Sequence, residues 1–280
     1  MSTKKATGKK AAESATRREQ LRAQQEAQAK KQKTARLAMI IVSSVVALAI
    51  IAVVATVVIQ DQRRKSEQAS REASSQITPP NAVGQEAILA LPAKAAEAKY
   101  TLNIYMDYQC PICKQSEDLY APVWTELANE GFVKLQVHTM SFMDGNLKND
   151  SSTKVAIAAA CADTTGRYWE YHGAAFKHQP ETEGAGYTDQ DITRTIPEQA
   201  GITGAEYDKW KSCYDSKATS QFVRLTDENA FKAGVTGTPT IMVNGKNPQV
   251  QGEGRMVDWW KVLDPTTDAW KKAIESAANS

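Results

Sequence analysis

Histidine, cysteine and phenylalanine are scarce in this chain of 280 residues, at three, four and five copies. The histidines, His138, His172 and His178, show no regular ligand spacing, so they outline no metal site. His172 sits in an aromatic stretch and reads as a packing or capping residue. Cys110 and Cys113 form one close pair, but Cys161 and Cys213 stand apart, so a four-thiolate zinc site lacks its second pair. No internal repeat is present. Net charge is nearly absent too, at +2, yet it is unevenly spread. Residues 1–36 carry eleven Lys/Arg and three Glu, a surplus of +8, which leaves −6 for the remainder. The basic part is a tail, so nucleic acid is not an expected partner of the folded part.

Charge is missing altogether from Leu37 to Ile59, 23 residues interrupted only by Ser43, Ser44 and Thr56. At about 1.5 Å per residue a helix there spans about 35 Å, enough to cross a bilayer with some tilt. A cleaved signal peptide has a shorter apolar region and a small-residue cleavage site beyond it. The Ala47/Ala49 pair lies in mid-run, so the sequence predicts an uncleaved signal anchor. Lys30, Lys31, Lys33 and Arg36 form the larger basic flank and place residues 1–36 in the cytoplasm as a tail. Arg63, Arg64 and Lys65 on the far side pull weakly the other way. Everything from about residue 60 is then extracytoplasmic. Residues 60–85 are polar and reach Pro79-Pro80, which reads as a stalk.

From about Glu86 the chain becomes globular. Ala87–Leu91 and Tyr100–Tyr108 read as strands, 111–130 as a helix, and Phe132–Met140 as a strand. Strand, helix, strand implies a right-handed parallel crossover. Five helical stretches follow with almost no strand signal: Thr153–Ala162, Arg167–His178, Asp189–Ala200, Ala205–Tyr214 and Thr219–Ala233. That is too long for a loop and predicts a helical insertion over about 150–233. Asn244-Gly245 between Thr240–Val243 and a segment through Val250 signals a hairpin. A final helix is expected over about Met256–Ala277, broken or kinked at Pro265.

The chain is organised around Cys110-Pro111-Ile112-Cys113, at the junction of a strand and a helix. Pro111 suits the first helical turn, where its missing N–H costs nothing. Cys110 then lies at the positive end of the helix, where orphan N–H groups and the macrodipole favour the thiolate. Cys113, one turn deeper, is close enough to bridge to it. Half of a zinc site and a small structural disulfide are the other readings. A strand before and a helix after the pair favour redox chemistry, in which one sulfur attacks and the other resolves. So small a loop gives a structural bridge little entropic value.

Three stretches in this order resemble the DsbA-like branch of the thioredoxin superfamily, membrane-anchored actinobacterial type, over about residues 86–280. They are Asp107-Tyr108-Gln109-Cys110-Pro111-Ile112-Cys113-Lys114, Tyr168-Trp169-Glu170-Tyr171-His172 with Phe176, and Gly234-Val235-Thr236-Gly237-Thr238-Pro239-Thr240. The resemblance implies an α/β thioredoxin-like fold with a helical insertion, preceded by a single transmembrane helix. It implies Cys110 and Cys113 as catalytic residues, and Pro111 and Ile112 as the rest of the active-site motif. It implies a cis Pro239 that leaves the backbone of Thr238 free to pair with an extended substrate. It also implies a structural disulfide between Cys161 and Cys213. Such a bridge stabilises by about 4 kcal/mol in the chain-entropy model; free buried thiols are the alternative.

Two departures stand out. Ile104 occupies the position where relatives often carry a buried acid. Asp107 is nearer in sequence but is expected to point elsewhere, capping or solvating the junction. Ile112 replaces the His of strongly oxidising relatives and removes a positive neighbour of Cys110.

The implied activity is thiol–disulfide oxidation of unfolded, cysteine-containing exported proteins. The family implies a membrane oxidase of the DsbB or VKOR type as redox partner, with membrane attachment through Leu37–Ile59. No cofactor or metal is needed, because the two sulfurs carry the electrons. Isomerase or reductase work uses the same residues, and a non-catalytic chaperone or binding module on this scaffold is the remaining class.

Overall fold

The computed structural model describes residue 39, residues 54–62 and residues 76–279. The chain divides into two units, Met1–Ala69 and Ser70–Ser280. In the first, residues 54–62 are helical (α1). Most of the Leu37–Ile59 run expected to cross a membrane, and the whole basic tail, lie outside the described residues. Among the described residues no helix is long and apolar enough to cross a membrane.

The second unit is built on a sheet of five strands in the order β1-β2-β4-β3-β5. The strands are β1 (Ala82–Val83), β2 (Ala87–Ala90), β3 (Tyr100–Asp107), β4 (Val133–Met140) and β5 (Thr240–Val243). β3 and β4 run parallel in register from Tyr100 opposite Val133 to Asp107 opposite Met140. α2 (Pro111–Asn129) makes the crossover between them. β3 lies between β4 and β5 and is buried along nearly its whole length, which explains its near-continuous apolar run. The period of two sends successive side chains to opposite faces. Leu102, Ile104 and Met106 join the main core, while Tyr105 joins a smaller cluster with Met140, Ala230 and Val235.

α2 shows why its sequence is helical. Cys113, Ser116, Glu117, Tyr120, Val123, Trp124, Leu127 and Ala128 recur at three- and four-residue spacing and form its buried face. Trp124 meets Trp270 edge-on at 5.9 Å, which anchors α9 (Thr267–Asn279) against α2.

Between β4 and β5 lie α3 (Met143–Leu147), α4 (Ser151–Ala162), α5 (Tyr168–Lys177), α6 (Ile196–Gln199), α7 (Gly204–Asp215) and α8 (Ser220–Lys232). Ten of the twelve residues of α4 are buried, so α4 forms the centre of this layer. The stretch expected as one helix over Asp189–Ala200 is helical from Asp189, with its middle, Asp191–Thr195, wound as a π-helix before α6. The small helix α3 has no counterpart in the sequence reading.

Two expectations at the C-terminal end are corrected. Asn244-Gly245 does turn the chain, with both residues at positive φ and Val243 bridged to Lys246. The next strand, β6 (Gln249–Gln251), does not return along β5; it pairs with β7 (Met256–Asp258). Asn244 instead turns to β3. Its N–H donates to the Thr101 carbonyl, and its Oδ1 accepts the Thr101 N–H. Met256–Asp258 is therefore strand rather than helix. Trp259–Val262 is a single 3₁₀ turn, and α9 starts only after Pro265. Residues 76–85, read as the end of a stalk, belong to the folded unit. Ile77 N–H donates to the Ala218 carbonyl, and the Asn81 backbone and side-chain N–H groups both donate to the Asp163 carboxylate.

Candidate functional site

The last residue of β3 is followed by a two-residue turn and then by Cys110, the N-cap of α2 in extended backbone. The Cys110 N–H donates to the Asp107 carbonyl at 3.0 Å, and the Cys110 carbonyl accepts the Lys114 N–H at 3.2 Å. Pro111 follows at the first helical position and Ile112 stands out into solvent, 49% exposed. Cys110 and Cys113 are both thiols, 6% and 0% exposed.

Their electrostatics differ sharply. The Cys113 thiol donates to the Cys110 sulfur, and the backbone N–H groups of Cys113 and Ile112 add to it. Together they hold the Cys110 pKa down at about 6 against the opposing effect of burial. Burial pushes Cys113 well up, and its donation to Cys110 pushes it further. One sulfur is thus a ready thiolate and leaving group, and the other a sealed thiol.

The Thr238–Pro239 peptide bond is cis. It presents the Thr238 carbonyl to Cys110, whose Sγ donates to it at 3.4 Å. Pro239 is buried and Thr238 half-buried. Residues more than a hundred positions apart therefore meet at one sulfur.

Cys161 and Cys213 lie away from this site and are joined to each other, with Cα atoms 5.8 Å apart, linking α4 to α7. Trp210, one turn before Cys213, is fully buried and donates its indole N–H to the Ala158 carbonyl of α4 at 2.9 Å. The bridge and this hydrogen bond run side by side.

Ile104 is fully buried among apolar neighbours and carries no proton. Asp107 is also fully buried, so it does not solvate the junction. Its carboxyl accepts from Ser152 Oγ at 2.6 Å, Gln109 N–H at 2.9 Å and Met143 N–H at 3.2 Å, the last of which caps α3. Burial nevertheless lifts its pKa to about 7, with those three hydrogen bonds opposing the rise.

His172 is fully buried. Nδ1 lies 3.0 Å from the Tyr108 hydroxyl and Nε2 lies 3.4 Å from Glu117 Oε2, while its ring stacks on Trp169. The packing role expected for it is therefore combined with a polar one, linking α2 to α5 directly behind the motif. His138 pairs with Asn103 across β4 and β3, and burial lowers its pKa to about 4. Among the described residues no cluster of His, Cys, Asp or Glu is arranged to hold a metal ion.

Sequence reasoning missed the groups that fix the motif's backbone. Gln179, after α5, donates Nε2–H to the carbonyls of Tyr108 at 2.7 Å and Cys110 at 3.0 Å. The Tyr187 hydroxyl lies 3.0 Å from the carbonyls of Tyr108 and of Ala175. Neither residue is near the cysteines in sequence, and nothing in their local pattern marks them.

Comparison with known proteins agrees with this geometry. A family model described as Thioredoxin matches residues 95–265. The chain is 26% identical over 188 residues to disulfide bond formation protein D of Bacillus subtilis, covering 65% of this chain and 76% of that one. It is 28% identical over 158 residues to the Na(+)/H(+) antiporter NhaA 1 of Salinispora arenicola. That match covers 54% of this chain, but the chain spans only 21% of the antiporter's length. Among solved structures, MdbA, a thiol-disulfide oxidoreductase from Actinomyces oris, superimposes with a TM-score of 0.53 at 21% identity. The match covers 71% of this chain and 92% of MdbA and extends the likeness of fold.

Proposed function

The chain belongs to the thioredoxin family, and from that premise we propose that it is an extracytoplasmic, membrane-tethered thiol–disulfide oxidoreductase that introduces disulfides into exported proteins. The observation that carries the chemistry is the asymmetry of the pair. Cys110 is a low-pKa sulfur beside the cis-proline loop, and Cys113 is a buried sulfur of high pKa.

In the oxidised enzyme a client thiolate attacks Cys110 Sγ. The Cys110–Cys113 bond breaks, and Cys113 leaves with the electron pair and takes up a proton. The client's second thiolate then attacks the client sulfur of the mixed disulfide and expels Cys110 as a thiolate. Two client thiols become one disulfide, and the enzyme's disulfide becomes a dithiol. A stabilised Cys110 thiolate makes this last step fast and the enzyme oxidising. The cis-proline loop would pair with the extended client through the Thr238 backbone. A membrane oxidase of the DsbB or VKOR type would restore the disulfide.

The uncharged run Leu37–Ile59 and its basic flank support the tether, with residues 1–36 cytoplasmic. The Cys161–Cys213 bridge supports an oxidising compartment.

The test of the chemistry is single-turnover oxidation of a reduced two-cysteine peptide by the oxidised full-length protein. One peptide disulfide should form per Cys110–Cys113 disulfide consumed. Mixed instead with the disulfide-bonded form of the peptide, reduced Cys113→Ala should accumulate mixed disulfides at Cys110, because the Cys113 thiol that would expel the peptide is gone. A peptide that stays reduced would overturn the reading. For topology, protease added to intact spheroplasts should digest the chain beyond about residue 60 and spare the tail; protection of the catalytic unit would refute this orientation.

A further inference from the structure

The geometry points to Gln179 as a positioning residue that holds the Cys110 carbonyl, and through it the Cys110 sulfur, in the orientation that stabilises the thiolate. This inference rests on the thiol–disulfide reading above.

An N-cap side chain meets the orphan N–H groups of its helix only when the cap residue keeps extended backbone angles. Cys110 has φ −78° and ψ 117°, and after the Cys113 thiol the N–H groups of Cys113 and Ile112 at the helix end help to lower its pKa. The ψ rotation of the cap residue turns its carbonyl and its helix together. Fixing that carbonyl therefore fixes where the sulfur sits relative to the helix end. Gln179 does this by spanning the turn: its Nε2 reaches the carbonyl at the start, Tyr108, and the one at the end, Cys110. The Cys110 carbonyl already accepts the Lys114 N–H, so Gln179 is its second donor.

Gln179 is itself held in place. Its N–H donates to the Phe176 carbonyl at the end of α5. Pro180 follows and steers Gln179 away from helical backbone, so the chain leaves the helix where the side chain can turn back to the motif. Tyr187 shares the Tyr108 carbonyl but does not reach Cys110. Gln179 is thus the side chain of the insertion that touches the cap residue's own peptide group. An amide also brings donors without charge. A Lys or Arg there would stabilise the thiolate by Coulomb attraction that salt screens, whereas the amide acts through geometry. Of the ionisable groups near the cap, Cys113 donates to the sulfur, the Asp107 carboxyl is engaged by Ser152, Gln109 and Met143, and Glu183 lines a small cleft with Gln109 and Gln179.

The test is the thiolate titration of the reduced full-length protein, followed by absorbance at 240 nm, for the wild type, Gln179→Met and Gln179→Glu. Met keeps the length and removes both donors; Glu keeps the shape and faces two carbonyl oxygens with an acceptor. Gln179→Met should raise the Cys110 midpoint by about half a unit or more, the equivalent of one ordinary hydrogen bond. Gln179→Glu should raise it further. The reduction potential should become more negative in the same order. A packing role alone would lower the melting temperature of both variants and leave the midpoint at its wild-type value, and that result would overturn the inference. Should Met fail to fold, the uncharged Gln179→Leu decides by the same midpoint. Wild-type protein that oxidises the peptide while both variants titrate like it defeats this inference alone. Wild-type protein that neither oxidises the peptide nor titrates below the ordinary cysteine range defeats the functional reading beneath it.

Discussion

Removing Cys113 should do more than block resolution; it should weaken Cys110 as a thiolate. The Cys113 thiol is the largest stabiliser of the Cys110 anion, which brings its pKa to about 6. A hydrogen bond to a charged group contributes about 1.5–3 kcal/mol, and one pKa unit corresponds to about 1.4 kcal/mol. Cys113→Ala should therefore raise the Cys110 midpoint by about one to two units, still below the ordinary cysteine value of about 8.5 because the helix N–H groups remain. At pH 7 a midpoint near 6 leaves about 90% of Cys110 ionised, against about 25% for a midpoint near 7.5. Thiolate nucleophilicity grows with pKa, with a Brønsted slope of about 0.4–0.5. The variant's fully ionised thiolate should consequently be about fivefold more reactive for a rise of 1.5 units. The two pH–rate profiles should then cross: wild type is faster at pH 6, and the variant is faster at pH 9. The assay is the rate of iodoacetamide alkylation against pH on the reduced full-length protein, with the modified cysteine identified by mass spectrometry. Superimposable profiles, a wild-type midpoint above about 8.5, or Cys113 reacting first would each refute the argument.

Two other outcomes follow from the same structure. Replacing both Cys161 and Cys213 by Ala should cost up to about 4 kcal/mol, read as a fall in melting temperature, while peptide oxidation survives; loss of oxidation with the fold intact would give that pair a redox role. His138 is buried with its pKa lowered to about 4, so its neutral form is favoured by folding. Its contribution is whole above the ordinary value of about 6.5 and is lost as pH falls from there through 4, to a total of about 3 kcal/mol. Urea unfolding at pH 7 and pH 4.5 should show that loss in the wild type and less of it in His138→Gln; equal losses would assign acid sensitivity elsewhere.

The central βαβ unit was legible because its signals are local. Pro111 after Cys110, the apolar run of β3 and the spacing of Tyr120, Trp124 and Leu127 each settle an element within a few residues. The C-terminal stretch was misread for a physical reason. Val257, Trp260 and Leu263 imitate a helical stripe, but Met256–Asp258 has a strand partner in Gln249–Gln251, and a partner is not visible in local periodicity. Asn244 is similar: its turn is written in Asn-Gly, but its bonds to Thr101 depend on a residue 143 positions away. At the site, the sequence identified Cys110, Cys113 and the Thr238–Pro239 loop as the residues to examine. It could not show that Asp107 faces α3 and Ser152, or that Gln179 and Tyr187 reach the motif from the insertion.

The way residues 76–83 enter the folded unit has a mechanical consequence. Gln76 bonds to Lys217 and Gln221, Ile77 to Ala218, and Asn81 to Asp163, before Ala82 and Val83 reach the sheet's edge. Tension applied from the N-terminal side therefore arrives first at the turn between α7 and α8, a few residues from Cys213. The covalent link from Cys213 to Cys161 spreads that tension into α4. β3 and the start of α2, which carry Cys110, lie beyond this cross-linked layer along the force path. Under such a pull the bonds of residues 76–83 to the helical layer and to the sheet edge are the first to carry load, ahead of the ladder that holds β3.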